Sequence, residues 1–194
     1  MKEWVPPLAK RIARTTPLID CRSPGHYFEK VIRSCLQRAT IEGWLEGGSQ
    51  TISRHIRLDR RSAQVPEQGA QDLIGGPKNF RRRKDDAVLH TPDGGWLSFS
   101  AVLRPYESQV EVLAYNFERV YDARASRWLR FDLNPSGHDN DHRGLRAHFH
   151  PSSDDLQFPS PIFAPHELID LLLAPPIPPD DRKPRTKGEP SAPA

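Results

Sequence analysis

The sequence predicts an α+β fold: an antiparallel β-meander of four to five strands, with an N-terminal and a C-terminal helix packed on one face. Three observations predict it. Segments between Trp96 and His150 alternate apolar and polar residues with the period of two that strands require. The connections between those segments are short, which suits antiparallel neighbours, because parallel ones need a longer crossover. Apolar residues also recur at helical spacing after Ser23 and again after Pro165.

In chain order, residues 1–22 form an N-terminal arm holding Trp4, the Pro6-Pro7 break and the basic segment from Lys10 to Arg14. A single α+β domain is expected over 23–173. Ser23 supplies an N-cap and Pro24 the first helical position. Phe28, Val31, Ile32, Cys35, Leu36 and Ala39 then make an apolar stripe, and the helix ends near Gly43. Gly47-Gly48 marks a turn. Thr51 to Leu58 reads as a strand with Ile52, Ile56 and Leu58 inward and Ser53, His55 and Arg57 outward. Residues 59–86 show no sustained period and are expected to form a long basic loop.

After the turn signal Pro92-Asp93-Gly94-Gly95, Leu97, Phe99, Ala101 and Leu103 alternate with Trp96, Ser98, Ser100 and Arg104. Val110 to Tyr121 follows, with Leu113, Tyr115 and Phe117 on one face and Val112, Ala114, Asn116 and Glu118 on the other. The next strand sets Leu129, Phe131 and Leu133 against Trp128, Arg130, Asp132 and Asn134, and the last sets Leu145, Ala147 and Phe149 against Arg146, His148 and His150. Pro165 opens the closing helix, where Phe163 can pack on Leu168 as a hydrophobic staple and Pro175-Pro176 end the segment. Residues 174–194 carry seven prolines with mixed charge and are expected to be a disordered tail. There is no internal repeat.

Composition narrows the function. No apolar run approaches a membrane span, and no signal-peptide pattern occurs, so a soluble, cytoplasmic protein with no membrane partner is expected. Cys21 and Cys35 form neither a CxxC pair nor a secreted-type framework. The net charge of +3 conceals a division: residues 1–84 hold 17 Lys+Arg against 8 Asp+Glu, and residues 85–194 hold 11 against 17. A basic half suits a polyanion, although it is also what a solvated surface looks like. Its densest cluster is Arg81, Arg82, Arg83 and Lys84 beside Phe80, which reads either as a solvated loop or as a phosphate-contacting arm with an aromatic for a base. GxGxxG, Walker A, GxSxG and HExxH motifs do not occur, which disfavours nucleotide-dependent, serine-hydrolase and zincin chemistry.

The stretch from Arg127 to His150 holds four of the eight histidines. If its two strands pair, His148 and His150 share a face with Arg146, Arg130 and Asp132. Imidazole titrates near neutrality, so the pair can act as base and acid in RNA phosphodiester cleavage. One takes the 2′-hydroxyl proton and the other protonates the leaving oxygen. Arg146 and Arg130 stand where charge develops, and Asp132 can orient an imidazole. The ordinary reading is a surface ion pair beside strand-end histidines. No cofactor is expected. If a metal were bound, His142, His148, His150 and Asp139, with Asp141 nearby, would be its ligands.

The order from Trp96 to Leu173 is a β-meander, Arg130-Phe131-Asp132, a polar loop, His148-Phe149-His150-Pro151 and a Pro-led leucine-rich helix. It resembles the TumE-like family of prokaryotic toxin-antitoxin proteins, with an Arg-aromatic-Asp segment followed by His-x-His. The resemblance implies a toxin acting on RNA, restrained by a cognate antitoxin protein, with Arg130, Asp132, His148 and His150 as the functional positions. It covers under half of the chain, and the first ninety residues lie outside it. The alternative is a noncatalytic nucleic-acid-binding or complex-assembly protein acting through its basic N-terminal half.

Overall fold

In a computed structural model of the chain, the described residues are 17–77, 79, 81–122, 124–138, 143 and 145–174. The first strand, β1 (Leu18–Ile19), leads into helix α1, in which Pro24–Tyr27, a π turn over Phe28–Ile32 and Arg33–Ile41 run on without a break. The Ser23 side chain accepts from the backbone N–H of His26 at 3.2 Å, and Pro24 occupies the start, as the sequence requires. Tyr27, Ile32 and Leu36 are fully buried, each such side chain contributing about 2 kcal/mol of apolar transfer.

Gly48–His55 is helix α2, not the strand expected over Thr51 to Leu58; strand β2 occupies only Ile56–Asp59. Ile52 and Ile56 are four apart, a spacing that satisfies one face of a helix as well as one face of a strand.

The sheet has nine antiparallel strands among the described residues, which corrects the four to five expected. The strands after β2 are β3 (Gln71–Gly75), β4 (Leu89–His90), β5 (Trp96–Tyr106), β6 (Gln109–Val120), β7 (Trp128–Leu133), β8 (Ala147–Pro151) and β9 (Phe158–Pro159). Their order is β2-β3-β5-β6-β7-β8-β9, with β1 on β6 and β4 on β5. Strand β3 lies inside the stretch expected to be all loop. Its Asp72 and Leu73 are both buried, so no alternation announces it. Asp72 tolerates burial because its carboxylate accepts from the Ser62 hydroxyl at 2.5 Å and the Ala63 N–H at 2.9 Å. The strands β1, β4 and β9 span two residues each, too short for any period to register.

Helices α1 and α3 (Pro165–Leu173) cover one sheet face, where Phe99, Phe117, Phe131 and Leu133 meet Leu36, Leu168 and Leu172. Arg38 ties the two helices through Asp170 at 2.6 Å. The expected face assignment fails at one point, because a bulge between Val102 and Leu103 leaves Leu113 without a partner opposite. Val112 therefore joins the main core with Leu103. Leu113 packs with Val102 and Ala114 on the other side. No helix among the described residues is long and apolar enough to cross a membrane.

Candidate functional site

The second sheet face is not solvent. Two small apolar clusters flank it: Val65, Ala70, Val102, Leu113 and Ala114 at one end, and Trp96, Val120 and Trp128 at the other. Between them run two polar rows fixed by strand register. Ser100, Asn116, Asp132 and His148 stand side by side across β5 to β8, and so do Ser98, Glu118, Arg130 and His150. The pairing of the Arg130–Asp132 strand with the His148–His150 strand is thus as the sequence implied.

At the centre is the Asp132 carboxylate. Its Oδ2 lies 3.2 Å from His150 Nε2, 3.7 Å from His148 Nε2 and 2.9 Å from Arg130 Nε. Its Oδ1 accepts from Asn116 Nδ2 at 2.5 Å. Burial alone would push this carboxyl up, but the bond from His150 and the charge of Arg130 outweigh it and hold it below the usual carboxylate value. Burial in turn pulls His148 down, against the attraction of Asp132. The two imidazoles are only 2% and 1% exposed. Their rings stand 4.9 Å apart at a steep angle.

The other ring nitrogens are committed. His148 Nδ1 sits 2.7 Å from the Leu145 carbonyl and His150 Nδ1 3.2 Å from the Ser153 carbonyl. A carbonyl can only accept, so both Nδ1 atoms carry the proton, and both Nε2 atoms face the carboxylate.

The basic cluster divides between surface and interior. Asn79 builds its turn, with Oδ1 accepting from Arg83 N and Nδ2 donating to Arg83 O. This leaves Arg82 at a left-handed φ of 49°. Arg82 is thereby aimed inward: it stacks 3.6 Å over the Trp128 ring, reaches Glu118 at 2.9 Å and forks onto Asp154 at 3.0 and 3.2 Å. Arg130 Nη1 meets the same Asp154 at 2.6 Å. Burial raises Glu118 above its ordinary value despite Arg82, whereas the Arg82 and Arg130 bonds lower Asp154. Arg81, Arg83 and Lys84 remain exposed, whereas Arg82, expected with them as a phosphate contact, is committed to Glu118 and Asp154.

Arg146 is buried, with Nε on the Asn134 carbonyl at 3.2 Å and Nη2 on the Leu113 carbonyl at 3.3 Å, so part of its guanidinium serves the bulge backbone. Phe80, Asp139, Asp141 and His142 lie outside the described residues. Sequence reasoning passed over Asn116, Glu118 and Asp154. The first two were legible as a polar pair two apart on β6, whereas Asp154 sits in an aperiodic turn that carries no signal.

Beside the histidine centre opens a cleft of about 950 Å³. Arg54, Arg57, Arg82 and Arg130 line it together with five carboxylates, Asp59, Asp72, Asp85, Asp86 and Glu118, so its charge is mixed. The cleft and the histidine centre share a wall, since Arg130 and Asn116 both line the one and bond Asp132 in the other. No family model, curated protein or solved structure matches this chain.

Proposed function

We propose that this protein is a ribonuclease-like toxin or effector that cleaves RNA phosphodiesters, with His148 and His150 as its proton-transferring pair. The observation that carries the reading is the convergence of both Nε2 atoms on one carboxylate that Arg130 also bonds, beside an open cleft that Arg130 lines. In the reaction, His148 Nε2 removes the 2′-hydroxyl proton and the oxygen attacks phosphorus. His150 Nε2, the nearer of the two to Asp132, protonates the departing 5′-oxygen. Arg130 steadies the charge on the phosphorane-like oxygens, a role its position fits better than that of Arg146. Both imidazoles are buried, so RNA reaches them only after a covering segment moves, and the turn at 152–155, tied down by Asp154 on Arg82 and Arg130, is the segment proposed to move. The resemblance of Trp96–Leu173 to TumE-like proteins supports a toxin restrained by a cognate antitoxin.

The test is growth of a host expressing the intact chain beside the His148→Ala/His150→Ala variant, with total RNA examined from both. The reading requires arrest and RNA cleavage from the intact chain alone. A second reading, noncatalytic nucleic-acid binding, is favoured by the burial of both histidines and the exposure of Arg81, Arg83 and Lys84. It requires RNA binding that survives the histidine changes and falls when those three side chains become Gln.

A further inference from the structure

We infer that Asp132, His148 and His150 form a binding site for one divalent transition-metal ion, with zinc, manganese, iron or cobalt as the chemical class. Three ligand atoms, two Nε2 and one Oδ, all lie within 4.8 Å of one another. Ligands about 2.1 Å from a tetrahedral ion stand roughly 3.4 Å apart. The Asp132–His150 and Asp132–His148 separations, 3.2 and 3.7 Å, bracket that edge.

The ring orientations suit the same ion. With each Nδ1–H donated to a backbone carbonyl, each ring turns its Nε2 toward the Asp132 carboxylate, the orientation that a shared cation requires. A cation among these three atoms, the proton that His150 shares with Asp132 or a metal ion in its place, satisfies them all. Donation of the outer ring N–H to a carbonyl is also what metal-bound imidazoles require, because it fixes ring orientation and strengthens the donor. The carboxylate is held in the same manner: Oδ1 takes the Asn116 amide, and Oδ2 spends one lone pair on Arg130 Nε and keeps the other for the ion. Two imidazoles and one carboxylate suit borderline transition metals over magnesium or calcium, which favour all-oxygen shells. The sequence pointed instead to His142 and Asp139 as partners of the pair; Asp132 supplies the carboxylate one strand away.

The site stands on this geometry and does not need the RNA reading. The two meet in one consequence: an Nε2 bound to metal cannot exchange protons, so a loaded centre has no free acid–base pair.

The experiment uses the purified full chain, stripped with a chelator and titrated with Co²⁺ or Zn²⁺ alone, without RNA. Saturation at one equivalent is expected, with visible Co²⁺ bands of low coordination number. Asp132→Asn, His148→Gln and His150→Gln should each weaken binding by at least roughly tenfold. Nitrogen-15 NMR of the wild-type imidazoles avoids any folding defect in the variants. Zn²⁺ should shift both Nε2 resonances while both Nδ1 atoms stay protonated. No saturable binding, equal affinity in Asp132→Asn, or unmoved Nε2 resonances would overturn the site. The growth and RNA assay reads the RNA proposal separately, so either can fail alone.

Discussion

Replacing Arg82 with Ala tests whether the basic loop is held by the second sheet face. The side chain is 15% exposed and Glu118, its partner, 7%. Its loss leaves Glu118 facing only Arg130, whose Nη1 stands 3.9 Å away, and removes the nearer of the two cations over Trp128. Removing one partner of a buried ion pair costs about 3–5 kcal/mol, and the surviving Arg130 places this case near 3. That corresponds to a fall in Tm of roughly 6–12 °C for a chain of this size. Urea unfolding followed by tryptophan fluorescence reads the change, with Trp128 reporting its own uncovering. The cost should shrink in a Glu118→Gln background, since Gln leaves no charge to strand. It should also shrink on acidification: a carboxyl whose folded value is raised is more stably buried when protonated, so stability is lost as pH rises through that value. A loss below about 0.5 kcal/mol, as for an ordinary surface site, would refute the reasoning, and so would an equal loss in both backgrounds.

Gly95→Ala should cost about 3 kcal/mol or prevent folding, because a Cβ there would lie 1.9 Å from the Val120 carbonyl oxygen, which belongs to the backbone and cannot step aside; thermal melts check this. Tyr27→Phe should cost about 1–2 kcal/mol in urea unfolding, since the Tyr27 oxygen accepts the His166 N–H at 3.1 Å and meets His166 Nδ1 at 2.8 Å, tying α1 to the start of α3. Burial raises Asp93, but bonds from Thr91, Arg119 and Gly95 outweigh it and leave the carboxyl below its ordinary value. Its contribution is therefore complete above the unfolded value, near pH 4, and is lost as pH falls through the depressed folded one; Asp93→Asn should flatten that part of the urea midpoint against pH.

The α+β class, the first and last helices and the four long strands β5 to β8 were legible in the sequence. The polar row on β7 and β8 was legible too, because local alternation and caps determine which face a residue takes once a strand exists. Alternation alone therefore groups His148, His150, Arg130 and Asp132. What alternation could not give were β3, buried on both faces, the helix at Gly48–His55, where Ile52 and Ile56 fit two periods, and the exchange of Val112 and Leu113 across a bulge.

The sequence by itself determined that two imidazoles, an arginine and an aspartate share one sheet face. Tertiary structure alone decided that this face is covered, because Arg82 and Asp154 approach from segments 72 residues apart and no local period encodes such a meeting. It also decided the proton positions, since Nδ1 of each histidine is committed by a carbonyl three residues along the chain whose placement depends on how the adjoining turn packs. A side chain's face follows from its own neighbours in sequence. Its burial, partners and proton follow from what the rest of the chain lays over it.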